Sequence, residues 1–379
     1  MAVVPGDAPS ETVPSVPVPA GPDPVGPDPD DPEPALRHHG DAETAPGLLD
    51  FAVNVRGDRP PDWLRRRLAA VLDDLAGYPS VTHDARARAG VAARHGRRPD
   101  EVLVLAGSAE AFALLPGLRP RRAVVLHPGF TESEAALRAA GLPVTRVLTA
   151  EDDGHRLHPA AVPEDADLVV VGNPTNPTGV LHPAADVAAL ARPGRVLVVD
   201  EAFADALPGE PGTLAHRADL PGLLVLRSLT KTWALAGLRA GYALGAPALL
   251  ARLARPRPPW PVSTPAVEAV LACSEPEALA EAEAAARELV GLRAAQAAAL
   301  AAVPGVRVLP GRAPYLLLRL PAGQGERVRA ALRASGVAVR RGDTFPGLTP
   351  DHVRVAVRPA AQVAVLVDAL AGALAGVAA

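Results

Sequence analysis

Five short β-branched runs, separated by alanine- and leucine-rich stretches, constrain this 379-residue chain more than any other feature. They are "EVLVLAGS", "RAVVLHPG", "ADLVVVGNP", "GRVLVVDEA" and "GLLVLRSLTK", all between about residues 80 and 255. Each is continuously apolar rather than alternating, as strands are when helices cover both faces of a parallel sheet. In such sheets ligands bind at the carboxyl ends of the strands. There the sequence places Gly107-Ser108, His127 to Phe130, Asn173 to Gly179, Asp200 to Phe203, and Ser228 to Lys231. From about residue 263 the pattern changes. A long alanine- and glutamate-rich helix is predicted over 276–302. Short strands follow near 306–309, 314–319, 337–341 and 353–357, with helices over 324–335 and 360–374. That is a second, smaller α/β unit. Residues 1 to about 44, rich in proline and aspartate, cannot bury enough apolar surface to offset their ordering entropy and read as a disordered tail.

Composition removes several classes of function. A net charge of −4 with no basic block argues against nucleic acid. No apolar run is long enough to span a bilayer, and the N-terminus lacks a signal-peptide pattern. One cysteine, Cys273, rules out an internal disulfide framework and fits the reducing cytoplasm. Scarcity also points to chemistry. Lys231 is the only lysine, although lysine and arginine together number 38. Arginine replaces lysine as a surface cation, but its guanidinium stays protonated and cannot act as an amine nucleophile. A lone lysine at the end of a strand therefore points to carbonyl chemistry through an imine. Asparagine occurs only at 54, 173 and 176, and two of the three sit in "GNPTNPTG".

The segment "SLTKTWALAGLRAGY" (228–242) resembles the lysine-attachment motif of class I and II aminotransferases, the fold type I pyridoxal-phosphate enzymes. The resemblance implies a large, doubly wound, mostly parallel sheet domain (80–258) and a smaller C-terminal α/β domain (259–379), which an N-terminal arm (45–79) joins. It implies that Lys231 forms the imine with pyridoxal 5′-phosphate and then moves a proton. Ser228 and Arg239 would hold the phosphate, helped by Ser108 and Ala109 at a strand-to-helix junction. Asp200 would keep the ring nitrogen protonated. Asn176 would donate to the 3′-oxygen, while Asn173 holds the turn and Glu110 caps a helix. Phe130 would stack on the ring, with core packing as its alternative. The family usually has tyrosine in place of Phe203, and phenylalanine cannot donate to the 3′-oxygen. Tyr78, in "GYPS", would reach the cofactor phosphate of a neighbouring subunit in a homodimer.

On the substrate side, Arg354 in "HVRVAVR" matches the arginine that clamps an α-carboxylate. Arg340 stands where members with phosphorylated substrates carry a second arginine, and Arg358 is a further candidate. Asn54 matches a substrate-side asparagine, although Arg56-Gly57-Asp58 replaces the usual residues that follow it. Two branches compete: histidinol-phosphate aminotransferase, and the threonine-phosphate decarboxylase of cobalamin biosynthesis. The opening "HHGD…LLDFAVNV" and the segment "RGDTFPGL" look more like the decarboxylase, particularly its actinobacterial relatives. The expected activity is a class I/II aminotransferase acting on a small, phosphorylated amino acid or amine, with the decarboxylase as alternative. A catalytically silent fold type I binding module is a third reading, and the presence of Lys231, Asp200, Asn176 and Arg239 together argues against it.

Overall fold

The computed structural model describes residues 33–378. A two-residue strand, β1 (Leu49–Asp50), opens the series. Seven strands follow: β2 (Val102–Leu105), β3 (Ala123–His127), β4 (Val144–Leu148), β5 (Leu168–Gly172), β6 (Val196–Asp200), β7 (Leu223–Ser228) and β8 (Gly241–Gly245). They form one sheet in the order β2-β8-β7-β6-β5-β3-β4, in which only β8 runs against its neighbours. The five runs read from the sequence are β2, β3, β5, β6 and β7. The strands β4 and β8 are additional. Helices cover both faces. One face packs on helices 81–95 and 264–272, the other on helices 108–114, 132–139 and 247–254.

Five short strands complete the chain: β9 (Arg307–Val308), β10 (Tyr315–Arg319), β11 (Val337–Ala338), β12 (Arg340–Arg341) and β13 (His352–Ala356). Four of them form an antiparallel sheet in the order β12-β13-β10-β9, while β11 pairs with β1. The single strand expected near 337–341 is thus two, one serving each sheet. The long helix spans Pro276–Ala301 and packs with helices 325–334 and 360–378 on this second core.

The start of the chain differs from its compositional reading. Residues 33–44, expected in the disordered tail, carry a short helix (Glu33–Leu36) and a 3-10 turn (Gly40–Glu43). Leu36 is fully buried, and Leu36 O accepts from Thr131 Oγ1 at 2.5 Å. Arg340 Nη2 donates to His38 O at 2.6 Å, and His39 Nε2 meets Glu132 Oε1 at 2.5 Å. One buried leucine and three polar anchors order a segment whose average composition is poor in apolar residues. The rest of the expected tail, 1–32, lies outside the described residues.

The carboxyl edge of β6 and β7 has two faces with different tasks. Val198, Leu224 and Leu226 point into one core, whereas Val199 and Val225 point into the other. The two-residue period of a strand then puts Asp200 and Ser228 on the first face, and Glu201 and Arg227 on the second. Arg227 is buried and donates to Glu201 at 3.1 Å, to Glu210 at 2.6 Å and to Asp205. Arg94 shares Asp205 at 2.9 Å and Glu210 at 2.6 Å. Removing the central cation leaves Glu201 buried without its cation, and Asp205 and Glu210 with Arg94 alone. Arg227→Met should therefore lower stability by about 3–5 kcal/mol in urea unfolding. The exposed Arg287, paired with Glu283 one helical turn away, should cost less than about 0.5 kcal/mol when changed to methionine.

Candidate active site

Lys231 lies three residues past the end of β7. Its backbone is held by a hydrogen bond from Arg56 N to Lys231 O at 2.9 Å. The amine sits 6.0 Å from the centre of the Phe203 ring. Burial, then the charges of Arg354 and Arg239, lower its pKa to about 8, against the opposing pull of Asp200 and Asp41. A sizeable neutral fraction is therefore present near pH 7–8, as an amine nucleophile requires. Asp200 shows the opposite displacement. Burial raises its carboxyl to about 6, offset in part by the Ala202 N–H at 3.1 Å and by Lys231. No arginine, lysine or histidine pairs with it among the described residues. Phe130, Asn176 and Asp200 line one small pocket together with Phe112 and Gly172. Lys231 borders a separate cavity of about 800 Å³ walled by Phe203, Asn54 and the long helix.

A second cluster is built from backbone. Gly107 precedes the helix that begins with Ser108-Ala109, and it adopts φ +78°, open to glycine. A Cβ at 107 would come within 2.7 Å of Arg239 Nη2, and one at Gly241 within 2.9 Å of Ser108 N. Gly241 is the register partner of Ser228. The absence of a side chain at Gly107 and Gly241 thus lets Arg239 and Ser108 N approach closely, next to Ser228. Arg239 itself has a left-handed backbone, φ +60°, and spends one N–H on Ala236 O at 2.8 Å. Ser228 Oγ lies 2.7 Å from Thr230 Oγ1. Glu110 accepts from Ala106 N at 2.7 Å, the capping role expected of it, and also pairs with Arg257.

The third cluster is cationic. Arg354 and Arg340 are register partners on β13 and β12, so two buried guanidiniums lie side by side. Like charges directly opposite each other are destabilising. Among the described residues no carboxylate hydrogen-bonds to either. Arg354 donates to Ala52 O and Asn176 Oδ1, both at 2.5 Å. With its amide oxygen turned to the guanidinium, Asn54 accepts from Arg354 Nε at 3.3 Å and Nη1 at 3.1 Å. Arg340 donates to His38 O and Arg341 O and lies over the Phe345 ring at 4.6 Å, with Glu43 3.9 Å away. Burial, and for Arg340 also the neighbouring Arg354, push both guanidiniums below their ordinary value. Arg358 differs: its N–H groups go to Asp50 O, Val53 O and Val55 O, so it anchors the arm.

Because a guanidinium only donates, Arg354 fixes the Asn176 amide with Oδ1 inward and leaves Nδ2 as a donor. Asn173 holds the turn, donating to His182 O and Gly212 O and accepting from His182 N. Phe130 packs between His39 and Phe112, with ring centres 5.5 and 5.7 Å away. Tyr78 does not join the site within the chain. It stands on the surface, 74% exposed.

Sequence reasoning missed Tyr315. Its ring supports Arg354 at 5.4 Å and meets Phe203 edge-on at 5.0 Å. Its hydroxyl donates to Thr175 O at 2.9 Å, one residue before Asn176. In "PYLLLR" it reads as strand core, but it is one of only three tyrosines, and that rarity was the available signal. The donor set as a whole fits a phosphorylated aromatic aldehyde. It offers an amine, a carboxylate without an arginine or histidine partner, an amide N–H, and a guanidinium, a hydroxyl and a helix N-terminus close together as phosphate donors.

Residues 46–370 match the family described as Aminotransferase class I and II. A histidinol-phosphate aminotransferase of Mycobacterium tuberculosis is 55% identical over 325 residues, covering 86% of this chain and 88% of that protein. A threonine-phosphate decarboxylase of Salmonella typhimurium is 36% identical over 342 residues, covering 87% and 92%. The structure of histidinol-phosphate aminotransferase from Sinorhizobium meliloti in complex with pyridoxal-5′-phosphate shares the fold, with a TM-score of 0.76 at 20% identity over 86% of this chain and 91% of that one.

The raised Asp200 carboxyl has a measurable cost. The folded apoprotein keeps this proton up to about pH 6, whereas the unfolded chain loses it near 3.8. At this residue stability therefore falls as pH rises through that window. Asp200→Asn should raise the apoprotein Tm at pH 7.5, with a smaller gain at pH 4, while weakening retention of pyridoxal phosphate. Calorimetry at the two pH values checks the difference.

Proposed function

The chain belongs to the class I and II aminotransferase family and uses pyridoxal 5′-phosphate, and from that premise we propose that it transaminates a small amino acid or amine bearing a phosphate. The observation that carries this reading is the pair of buried guanidiniums, Arg340 and Arg354, directly opposite each other and hydrogen-bonded to neutral acceptors, with Glu43 3.9 Å from Arg340. Two anionic groups on one substrate, a carboxylate or its equivalent and a phosphate, would neutralise them with charge-assisted hydrogen bonds.

When bound, pyridoxal phosphate supplies an electron sink for the pair left at the substrate's α-carbon. Asp200 keeps the ring nitrogen protonated. Ser108, the Ala109 N–H, Ser228 and Arg239 bind the phosphate. Asn176 Nδ2 donates to the ring oxygen, and Phe130 packs on the ring face. Phe203 offers apolar contact beside Lys231 but no donor. Lys231 would supply the amine that holds the cofactor's aldehyde and the base that moves the substrate's α-proton. Arg354, steadied by Asn54, would hold a substrate carboxylate where there is one, as in O-phosphothreonine but not in histidinol phosphate, and Arg340 would take the substrate phosphate. Tyr78 reaches the phosphate site of a second copy of the chain, so the active form is a homodimer, and the place of action is the cytoplasm.

How Arg354 presents a substrate carboxylate would decide between two outcomes: held fixed, it would leave the α-proton for Lys231 to move, whereas presented for cleavage it would leave as carbon dioxide. The threonine-phosphate decarboxylase relative favours this second outcome as the alternative reading.

Histidinol phosphate and O-phosphothreonine, supplied separately to cofactor-loaded protein, discriminate between them. The expected result is a keto product that depends on 2-oxoglutarate. Carbon dioxide release from O-phosphothreonine without an acceptor would replace transamination with decarboxylation. Arg340→Leu should raise KM for the phosphorylated substrate by about 10- to 100-fold, the worth of a lost charge-assisted hydrogen bond. An unchanged KM would remove the phosphate reading.

A further inference from the structure

The surface carries an aromatic pair that the site within one chain does not use. Tyr78 and Trp260 stack face to face, ring centres 4.0 Å apart and planes 15° from parallel. Both are exposed, Tyr78 by 74% and Trp260 by 55%. The fold brings them together deliberately. Tyr78 precedes Ser80, whose hydroxyl caps the helix starting at Val81. Trp260 precedes Ser263, whose hydroxyl caps the helix starting at Thr264. The two helices pack on each other, and His83 Nε2 meets Glu268 Oε2 at 2.6 Å near their starts. Both lead-in loops therefore emerge at the same end.

Trp260 also holds a backbone that bulky residues avoid. Its φ is +50°, and it lies between Pro259 and Pro261, which stiffen the chain on both sides. Strain of this kind persists where a function uses it. Burial within the subunit does not offset it, since more than half of the indole faces outward. Leu72, Leu75 and Val81 are exposed in the segment around Tyr78, so the pair sits beside further uncovered apolar side chains. An isologous dimer contact uses the same patch of both copies, which suits a patch of this kind.

We propose that Trp260 is a positioning residue acting in trans. Its indole holds the Tyr78 ring so that the hydroxyl enters the phosphate site of the neighbouring subunit. This rests on the homodimer reading given above and adds a residue to it. Tyr78 makes the contact, and Trp260 fixes its direction.

Complementation between subunits tests it. Trp260→Ala should remain dimeric by sedimentation and bind pyridoxal phosphate about three- to tenfold more weakly, the worth of one aromatic stack. Trp260→Phe, which keeps a ring, should stay within about twofold of the parent. Mixing Trp260→Ala subunits with Lys231→Ala subunits gives a hybrid in which one site combines intact Lys231 with intact Tyr78 and Trp260 from the other chain. The cofactor absorbance band of that site should titrate with the parent affinity. Unchanged affinity in the Trp260→Ala dimer would overturn the role, and so would a defect that persists in the hybrid, since the indole would then act within its own subunit. A monomeric Trp260→Ala variant would make the residue an interface element instead. If the parent protein itself sediments as a monomer, the homodimer reading fails first.

Discussion

An excess of buried positive charge governs this molecule. Arg354 acts on Lys231 against the opposing pull of Asp200 and Asp41, and Arg340 is the register partner of Arg354. The arginines hydrogen-bond to dipoles and rest on ring faces, Ala52 O, Asn176 Oδ1, Asn54, His38 O, Arg341 O, Tyr315 and Phe345, with Glu43 3.9 Å from Arg340. Neutral acceptors satisfy the N–H groups without cancelling the field. Paired carboxylates would have made the arginines more stable and less useful, because an incoming anion would find the charge already spent. The same field acts on the amine. It disfavours the ammonium form of Lys231 and so frees the nucleophile that the chemistry needs.

Such a pocket requires rigid walls, and the sheet edge supplies them. β6 and β7 end side by side and present Asp200 and Ser228 on one face. Directly behind, Glu201 and Arg227 anchor a buried ion network that also takes in Arg94, Asp205 and Glu210. Placing a compensated network on one face lets the other face remain uncompensated. Across the site, Tyr315 links Arg354, Phe203 and the backbone before Asn176.

Much of this was legible in the sequence. Continuous β-branched runs gave the parallel sheet, and the residues at their carboxyl ends became the site. The lone lysine needed no fold to be singled out. What stayed hidden depends on pairing between distant segments. Arg340 and Arg354 are fourteen positions apart, and only the register of β12 with β13 makes them neighbours. Arg358 was as good a candidate as Arg340 until the carbonyls of Asp50, Val53 and Val55 claimed its N–H groups. The ordering of residues 33–44 rests on Leu36 and a few anchors that average composition conceals. Tyr78 could be matched by motif, whereas its stack with Trp260 needed two helices to meet.

Because the chain has one lysine, lysine labelled with ¹⁵N at Nζ gives a single amine resonance. Its titration in the cofactor-free protein tests the central claim directly. A midpoint near pH 8 is expected, moving upward in Arg354→Leu as one of the two opposing guanidiniums is removed. A midpoint near the ordinary lysine value of 10.5, insensitive to Arg354, would contradict it.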